Sequence, residues 1–280
     1  MPPAPSGTPH PPLAPPVGRR IPWGQVASGA AAILGIALLV RGLGQSQNVL
    51  WGEIPRYLVD PRILDGVVLT LELTFGAMAF GIAAGGGIAA MATSRNLVLK
   101  AAAAAFVWWF RGVPLLVQVF FWYNIALFVP MIGAGPYAIP VNDLVTPAVA
   151  GFLALGLHES ANMAEIIRAG LRSVPQGQRE AAQALGLGPL QTLRTVVMPQ
   201  AVRLVIPPTG NQAIGMLKAS AIVSVIGMKD LLTMAQQIYA ANFMVIELLF
   251  AASIWYLALT SVASIGQHYL EKHLAAKDRR

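Results

Sequence analysis

The chain has 280 residues, of which 56% are hydrophobic and only 11% charged, with a net charge of +7 and a mean hydropathy of +0.62. A water-facing domain carries about 25% charged residues, so this composition excludes an ordinary soluble globule and leaves a membrane protein of one compact bundle. With no cysteine, disulfides, zinc-thiolate sites and thiol catalysis are also excluded.

Residues 1–20 hold eight prolines in their first seventeen positions and few large apolar groups, which predicts a disordered tail rather than a helix or a cleaved signal. An N-terminal membrane helix and an external loop follow over 21–65. In all, six apolar stretches, 25–43, 66–92, 100–129, 147–167, 202–227 and 245–268, are each long enough to cross the hydrocarbon layer or nearly so. Their lack of strict alternation excludes barrel strands, because in lipid only a helix then satisfies every backbone group. The predicted fold is therefore an all-α integral membrane protein with six transmembrane helices. Residues 66–270 form its transmembrane domain, and 271–280 a basic tail.

If the first stretch runs outward, fourteen lysines and arginines fall on the inner side and four on the outer side. The positive-inside rule then puts both termini in the cytoplasm. It also accounts for the net positive charge without nucleic acid, since no basic face interleaved with aromatics is visible.

The longest internal polar segment, 168–201, lies on that inner side. Gln178–Leu185 is a run of good helix formers, Gly186 is a natural stop, and Pro189 suits the first turn of a second helix through Val197, ended with help from Pro199. Ala181, Ala184 and Leu185 share one face of the first helix. So short a pair is marginal alone. It either docks on a partner or merely links two spans.

Inside this segment stand Glu180-Ala181-Ala182, then after three residues Gly186, then after nine Val196-Val197-Met198-Pro199. The spacing resembles the E-A-A, G, I-x-L-P pattern of the integral-membrane subunits of bacterial ABC importers. FRGVPLLVQVFFW at 110–122, AEIIRAGLRSVPQGQREAAQALGL at 164–187, PQAVRLVIPPTGNQ at 199–212 and KASAIVSVIG at 218–227 resemble the permeases for polar amino acids. Val113, Ala219, Ala221 and Asn162 depart from that family's usual residues.

The resemblance implies a chain that is no enzyme, imports a polar amino acid or close analogue, and is driven by ATP hydrolysis on a partner. Glu180, Ala181, Ala182, Ala184, Leu185 and Gly186 would form the contact with that ATP-binding subunit. This chain has no phosphate-binding loop of its own, so ATP and magnesium belong to the partner and no cofactor is expected here. The family further implies an extracytoplasmic solute-binding protein, a second permease subunit (the same chain or a related one), surrounding lipid and residence in the cell inner membrane.

Charged and polar groups inside spans are costly unless they face protein or water, which singles out Glu72, His158, Glu159, Asn162, Asn211, Gln212, Lys218 and Glu247. Of these, Glu72, Glu159, Asn162, Asn211, Gln212 and Lys218 are the candidates for a substrate pathway. Lys218 would hold a carboxylate, with Glu72 or Glu159 facing an ammonium, the bland alternative being an ion pair within the bundle. Glu72 and Glu247 are read as lying near helix starts, within reach of water. Pro207, Pro208 and Gly210 are expected to loosen the fifth span just before Asn211. Arg111 is either a cytoplasmic gate or a phosphate-facing anchor, and Gly81 and Gly85 permit close helix packing.

Three other readings compete: a permease for an opine, sulfur compound or metal complex; a passive subunit paired with a substrate-contacting homologue; and an intramembrane metalloprotease. The last rests on His158-Glu159, but Asn162 replaces the second histidine that zinc would need, so neither a metal site nor a catalytic residue is predicted.

Overall fold

The computed structural model describes residues 23–46 and 48–277, so the proline-rich segment 1–20 lies outside the described residues. Two compact units divide between Val49 and Leu50. The first contains helix α1 (Trp23–Gly44).

The second unit is a helical bundle. After the short α2 (Ile54–Leu58), α3 (Pro61–Thr93) crosses to a tight turn at 94–96, and α4 (Leu97–Gly112) leads into α5 (Leu115–Tyr123). Asp60 and Asn96 start the two long helices by accepting backbone N–H bonds at their N-caps. A two-residue hairpin, β1 (Met131–Ile132) with β2 (Ile139–Pro140), and the short α6 (Val141–Leu144) precede α7 (Pro147–Ser173). Then come α8 (Gln176–Ala184), α9 (Pro189–Thr192), α10 (Met198–Ala219), α11 (Leu231–Asn242) and α12 (Val245–Lys277).

The core is built on α3 against α7. Gly81 and Gly85 make the approach possible: a Cβ on Gly81 would stand 2.7 Å from Glu159 Cγ, and one on Gly85 2.8 Å from the Ser160 carbonyl oxygen. Without those methyls the two backbones meet in register 81 to 159 and 85 to 163, the small-residue device of packed membrane helices. Leu73, Ala77, Ala150, Ala154, Leu155 and Val223 fill the centre of this seam.

Several sequence expectations need correction. The stretch 100–129 is not one straight span: α4 and α5 meet at 103°, because Pro114 cannot donate to the Phe110 carbonyl and bars α-helical geometry at Val113. The second loop helix does not stop at Pro199. It passes through a π turn, Leu193–Val197, directly into α10, which puts Pro199 in the first α turn, where a missing N–H is tolerated. Pro207 and Pro208 do not break α10 either, which stays α-helical to Ala219 and then tightens into the 3₁₀ turns of Ser220–Ile226. Beside the prolines Gln267 Nε2 donates to the Pro207 carbonyl at 2.9 Å, tying α12 to α10.

Residues 228–244, read as an external loop, contain α11. Asp230 caps it through the N–H groups of Leu232 and Thr233, while Leu231, Ala235 and Ile238 are buried against α3 and α12. α12 continues to Lys277, so residues 271–277 of the expected basic tail are helical. By length and apolar content alone, α3 and Val245–Leu274 of α12 qualify as membrane-crossing, and the bent α4–α5 pair counts as a third. The helices α7 and α10 fall short of that test, carrying the polar and charged groups described next.

Candidate functional site

Two regions hold the predicted residues. On one side, α8 projects between α7 and α10 as a clamped lever. Val174, Val197 and Ala201 form a small core at its base, with Leu171 against it. Arg179 Nη2 donates to the Leu171 carbonyl, tying the lever back to α7. At the far end the chain turns by a Schellman motif: Leu187 N–H bonds the Ala182 carbonyl at 3.1 Å and Gly186 N–H bonds the Gln183 carbonyl at 2.9 Å. Gly186 takes φ +81°, the left-handed region that side chains resist.

Glu180, Ala181, Ala184, Leu185 and Gly186 are all exposed, and Leu185 is 83% exposed, a large apolar side chain presented outward. Ala182 is different. It is only 3% exposed, so its methyl packs within the chain and cannot belong to a docking surface. The reason is phase: Ala182 is turned about 100° from Ala181 on a helix of 3.6 residues per turn.

The second region lies in the bundle, where α7 faces α10. Glu159 is 2% exposed and accepts from Gln212 Nε2 at 3.3 and 3.4 Å on its two oxygens. Asn162, one turn along α7, lies near enough to interact with the same carboxylate. Among the described residues no lysine, arginine or histidine comes within ion-pair distance of it. Glu159, Asn162 and Gln212 are thus brought together.

The other pathway candidates are not. Glu72 precedes Gly81 by nine residues, half a turn out of phase, and is exposed on the face of α3 away from Glu159. It also lies eleven residues into α3 rather than near a helix start. Asn211 and Lys218 share an exposed face of α10, Lys218 bordering a cavity of about 380 Å³ with Ser253, Tyr256 and Thr260 of α12. No ion pair joins Lys218 to Glu72 or Glu159 among the described residues. Glu247, expected near water, is 4% exposed and accepts the Leu50 N–H at 2.7 Å.

His158 is engaged in a different task. Its Nδ1 lies 2.9 Å from the Phe110 carbonyl, the one that Pro114 leaves without a helical donor. Gln118 Nε2 donates to the same carbonyl at 2.9 Å and to the Val113 carbonyl at 2.8 Å. Together they staple the α4–α5 bend to α7. Sequence reasoning missed Gln118, although a glutamine four residues after the proline was the available signal. Gln118→Ala is expected to cost about 1–3 kcal/mol, the penalty for stripping a donor from buried carbonyls. Thermal unfolding in detergent checks this, and an unchanged midpoint refutes the staple.

Comparisons with known proteins agree with this architecture. Residues 77–276 match the family described as binding-protein-dependent transport system inner membrane component. The chain is similar to the arginine transport system permease protein ArgU of Corynebacterium glutamicum, 38% identical over 249 residues that cover 87% of this chain and 78% of that protein. It is also similar to the glutamine transport system permease protein GlnP of Escherichia coli strain K12, at 32% identity over 81% of this chain and 96% of that protein. Among solved structures, a chain from the crystal structure of an amino acid ABC transporter with histidines is 36% identical, with a TM-score of 0.71 over 80% of this chain and 99% of its own length. A chain of the MetNI methionine ABC transporter, 18% identical with a TM-score of 0.61 over 82% of this chain and 99% of its own, shares the fold.

Proposed function

Because the chain belongs to the binding-protein-dependent transport system inner membrane components, we propose that it carries an amino acid inward through an ABC importer, using the Glu159 cluster for the solute and the α8 lever for coupling. It is the permease subunit and not the ATPase. ATP and magnesium act on a separate ATP-binding chain, a solute-binding protein delivers substrate from outside, and a second permease subunit completes the pore. Arg95 in the turn after α3, with Arg168, Arg172, Arg179 and Arg194 against the lone Glu180 across 168–201, supports a cytoplasmic α8, cytoplasmic termini and six crossings of the inner membrane, with α7 and α10 admitted as spans.

One observation carries the substrate reading: a buried carboxylate bonded by the Gln212 amide, with no cation at ion-pair distance among the described residues. In a low-dielectric interior such a group calls for a positive partner. An amino acid offers one in its ammonium, and arginine, named for a 38% identical relative, offers a second. Lys218 and Asn211 lie on another face of α10 and act, on this reading, along the route rather than in the Glu159 cluster. Glu72 has no part in that cluster.

The test is uptake by the chain reconstituted with its ATP-binding and solute-binding partners. Labelled arginine, histidine, glutamine and an opine are supplied in turn. ATP-dependent accumulation of an amino acid is the expected result. Accumulation with the ATP-binding chain left out, or uptake of the labelled opine with no amino acid transported, overturns the proposal.

A further inference from the structure

A cleft of about 720 Å³ opens along α4, walled by Lys100, Arg111, Arg168, Arg172, Arg179 and Glu165. Five cations face one carboxylate. That carboxylate is already committed: Arg168 grips both of its oxygens, one at 2.9 Å, and Arg111 Nη1 approaches at 3.8 Å. Lys100, Arg172 and Arg179 therefore have no acidic side chain at ion-pair distance among the described residues. They come from three different helices, α4, α7 and α8, so no single amphipathic face explains their meeting. Gathering like charges is unfavourable unless an anion neutralises them.

The remaining wall is apolar. Ala103, Ala104, Val107 and Trp108 of α4 line the same cleft, and Trp108 is 73% exposed, with Leu97 and Val98 exposed below it at the start of the helix. A cationic rim beside an exposed tryptophan is the signature of a lipid headgroup seat at a membrane surface. We infer that this cleft binds the phosphate of an anionic phospholipid from the inner leaflet, with an acyl chain lying along α4. A soluble acidic peptide would satisfy the cations and leave the apolar wall unused. The inference rests on the cytoplasmic placement of α8 proposed above. Since Arg179 belongs to α8, the bound lipid would brace the lever.

The test uses the full chain purified with its ATP-binding partner and incorporated into nanodiscs of phosphatidylcholine, with or without phosphatidylglycerol. Native mass spectrometry then counts the lipids retained. Wild type is expected to keep one phosphatidylglycerol per chain in preference to phosphatidylcholine. Lys100→Glu combined with Arg172→Glu is expected to weaken retention roughly tenfold or more, whereas Lys272→Glu on α12 leaves it unchanged. Lys100→Gln, a milder change at an exposed position, is expected to weaken it in the same direction and guards against misfolding of the double variant.

Equal retention of the two lipids by wild type overturns the inference. So does displacement by inorganic phosphate alone, which would make the occupant a free anion, or phosphatidylglycerol retention that appears only when the ATP-binding subunit is left out, which would make the cleft a protein interface. Because the chain has no native cysteine, Lys100→Cys can be labelled with an impermeant thiol reagent in intact cells. Labelling from outside would refute the proposed orientation, a failure distinct from loss of lipid preference.

Discussion

Gly186→Asp is expected to leave the chain in the membrane at normal abundance and to lower ATP-driven uptake roughly a hundredfold. Insertion depends on the apolar helices, and Gly186 has open space around it, with nothing within 4 Å of where a Cβ would stand. The damage comes in two parts. Holding a non-glycine residue at φ +81° costs about 1–2 kcal/mol, although aspartate is among the residues that tolerate this region best. On the proposed docking of Leu185 and Ala184 into a partner groove, a carboxylate placed beside them must also shed its water unpaired, worth about 3–5 kcal/mol. At a tenfold change per 1.4 kcal/mol the second part dominates.

Gly186→Asn separates the two. Asparagine adopts the left-handed region and carries no charge, so it is expected to keep most of the uptake. Uptake and co-purification of the ATP-binding subunit are measured together. Normal transport by Gly186→Asp refutes the docking role of this turn, and an equal loss in both variants assigns the effect to backbone strain.

How much of this is legible in the sequence depends on whether a signal is local. The stop at Gly186 can be read because a Schellman turn needs only a glycine after a run of helix formers, and the glycine's φ and the two 6→1 and 5→2 bonds follow from that. The α4–α5 bend escapes such a reading, even with Gly112 and Pro114 in view, because hydropathy measures apolar length and is blind to direction. The burial of α11 is beyond local reading: Asp230 announces a helix start, yet what holds the helix down is Thr70 Oγ1 accepting the Leu231 N–H at 3.1 Å and Gly66 leaving room for the Leu231 backbone, from a helix far away in sequence.

The polar residues in the spans show the same division. Within one helix, phase follows from numbering alone: Asn211 and Lys218, seven apart, share a face, and Glu72, nine before Gly81, does not look toward α7. Between helices it does not. That Glu159 meets Gln212 and not Lys218 depends on how α10 seats against α7, an approach that Gly170 admits, since a Cβ there would stand 2.4 Å from Val205 Cγ2.

Glu159→Gln is the second large effect. The substitution keeps the side chain's shape, and an amide oxygen remains to accept from Gln212 Nε2, so the packing of Glu159 against Gly81 is preserved. What disappears is the negative charge. If that charge binds the cationic part of an amino acid in a site screened from water, its loss costs about 3–5 kcal/mol, the penalty for breaking a buried pair by removing one partner. The KM for the transported amino acid is then expected to rise roughly a hundredfold or more, with the melting temperature unchanged or raised, because a buried uncompensated carboxylate is itself a burden on the folded state. A purely structural role predicts something else: a lower melting temperature and a fall in maximal rate shared by all substrates. The KM therefore decides. If the KM for the transported amino acid stays at the wild-type value in Glu159→Gln, the carboxylate does not touch the solute, and the cluster with Asn162 and Gln212 is only a polar weld between α7 and α10.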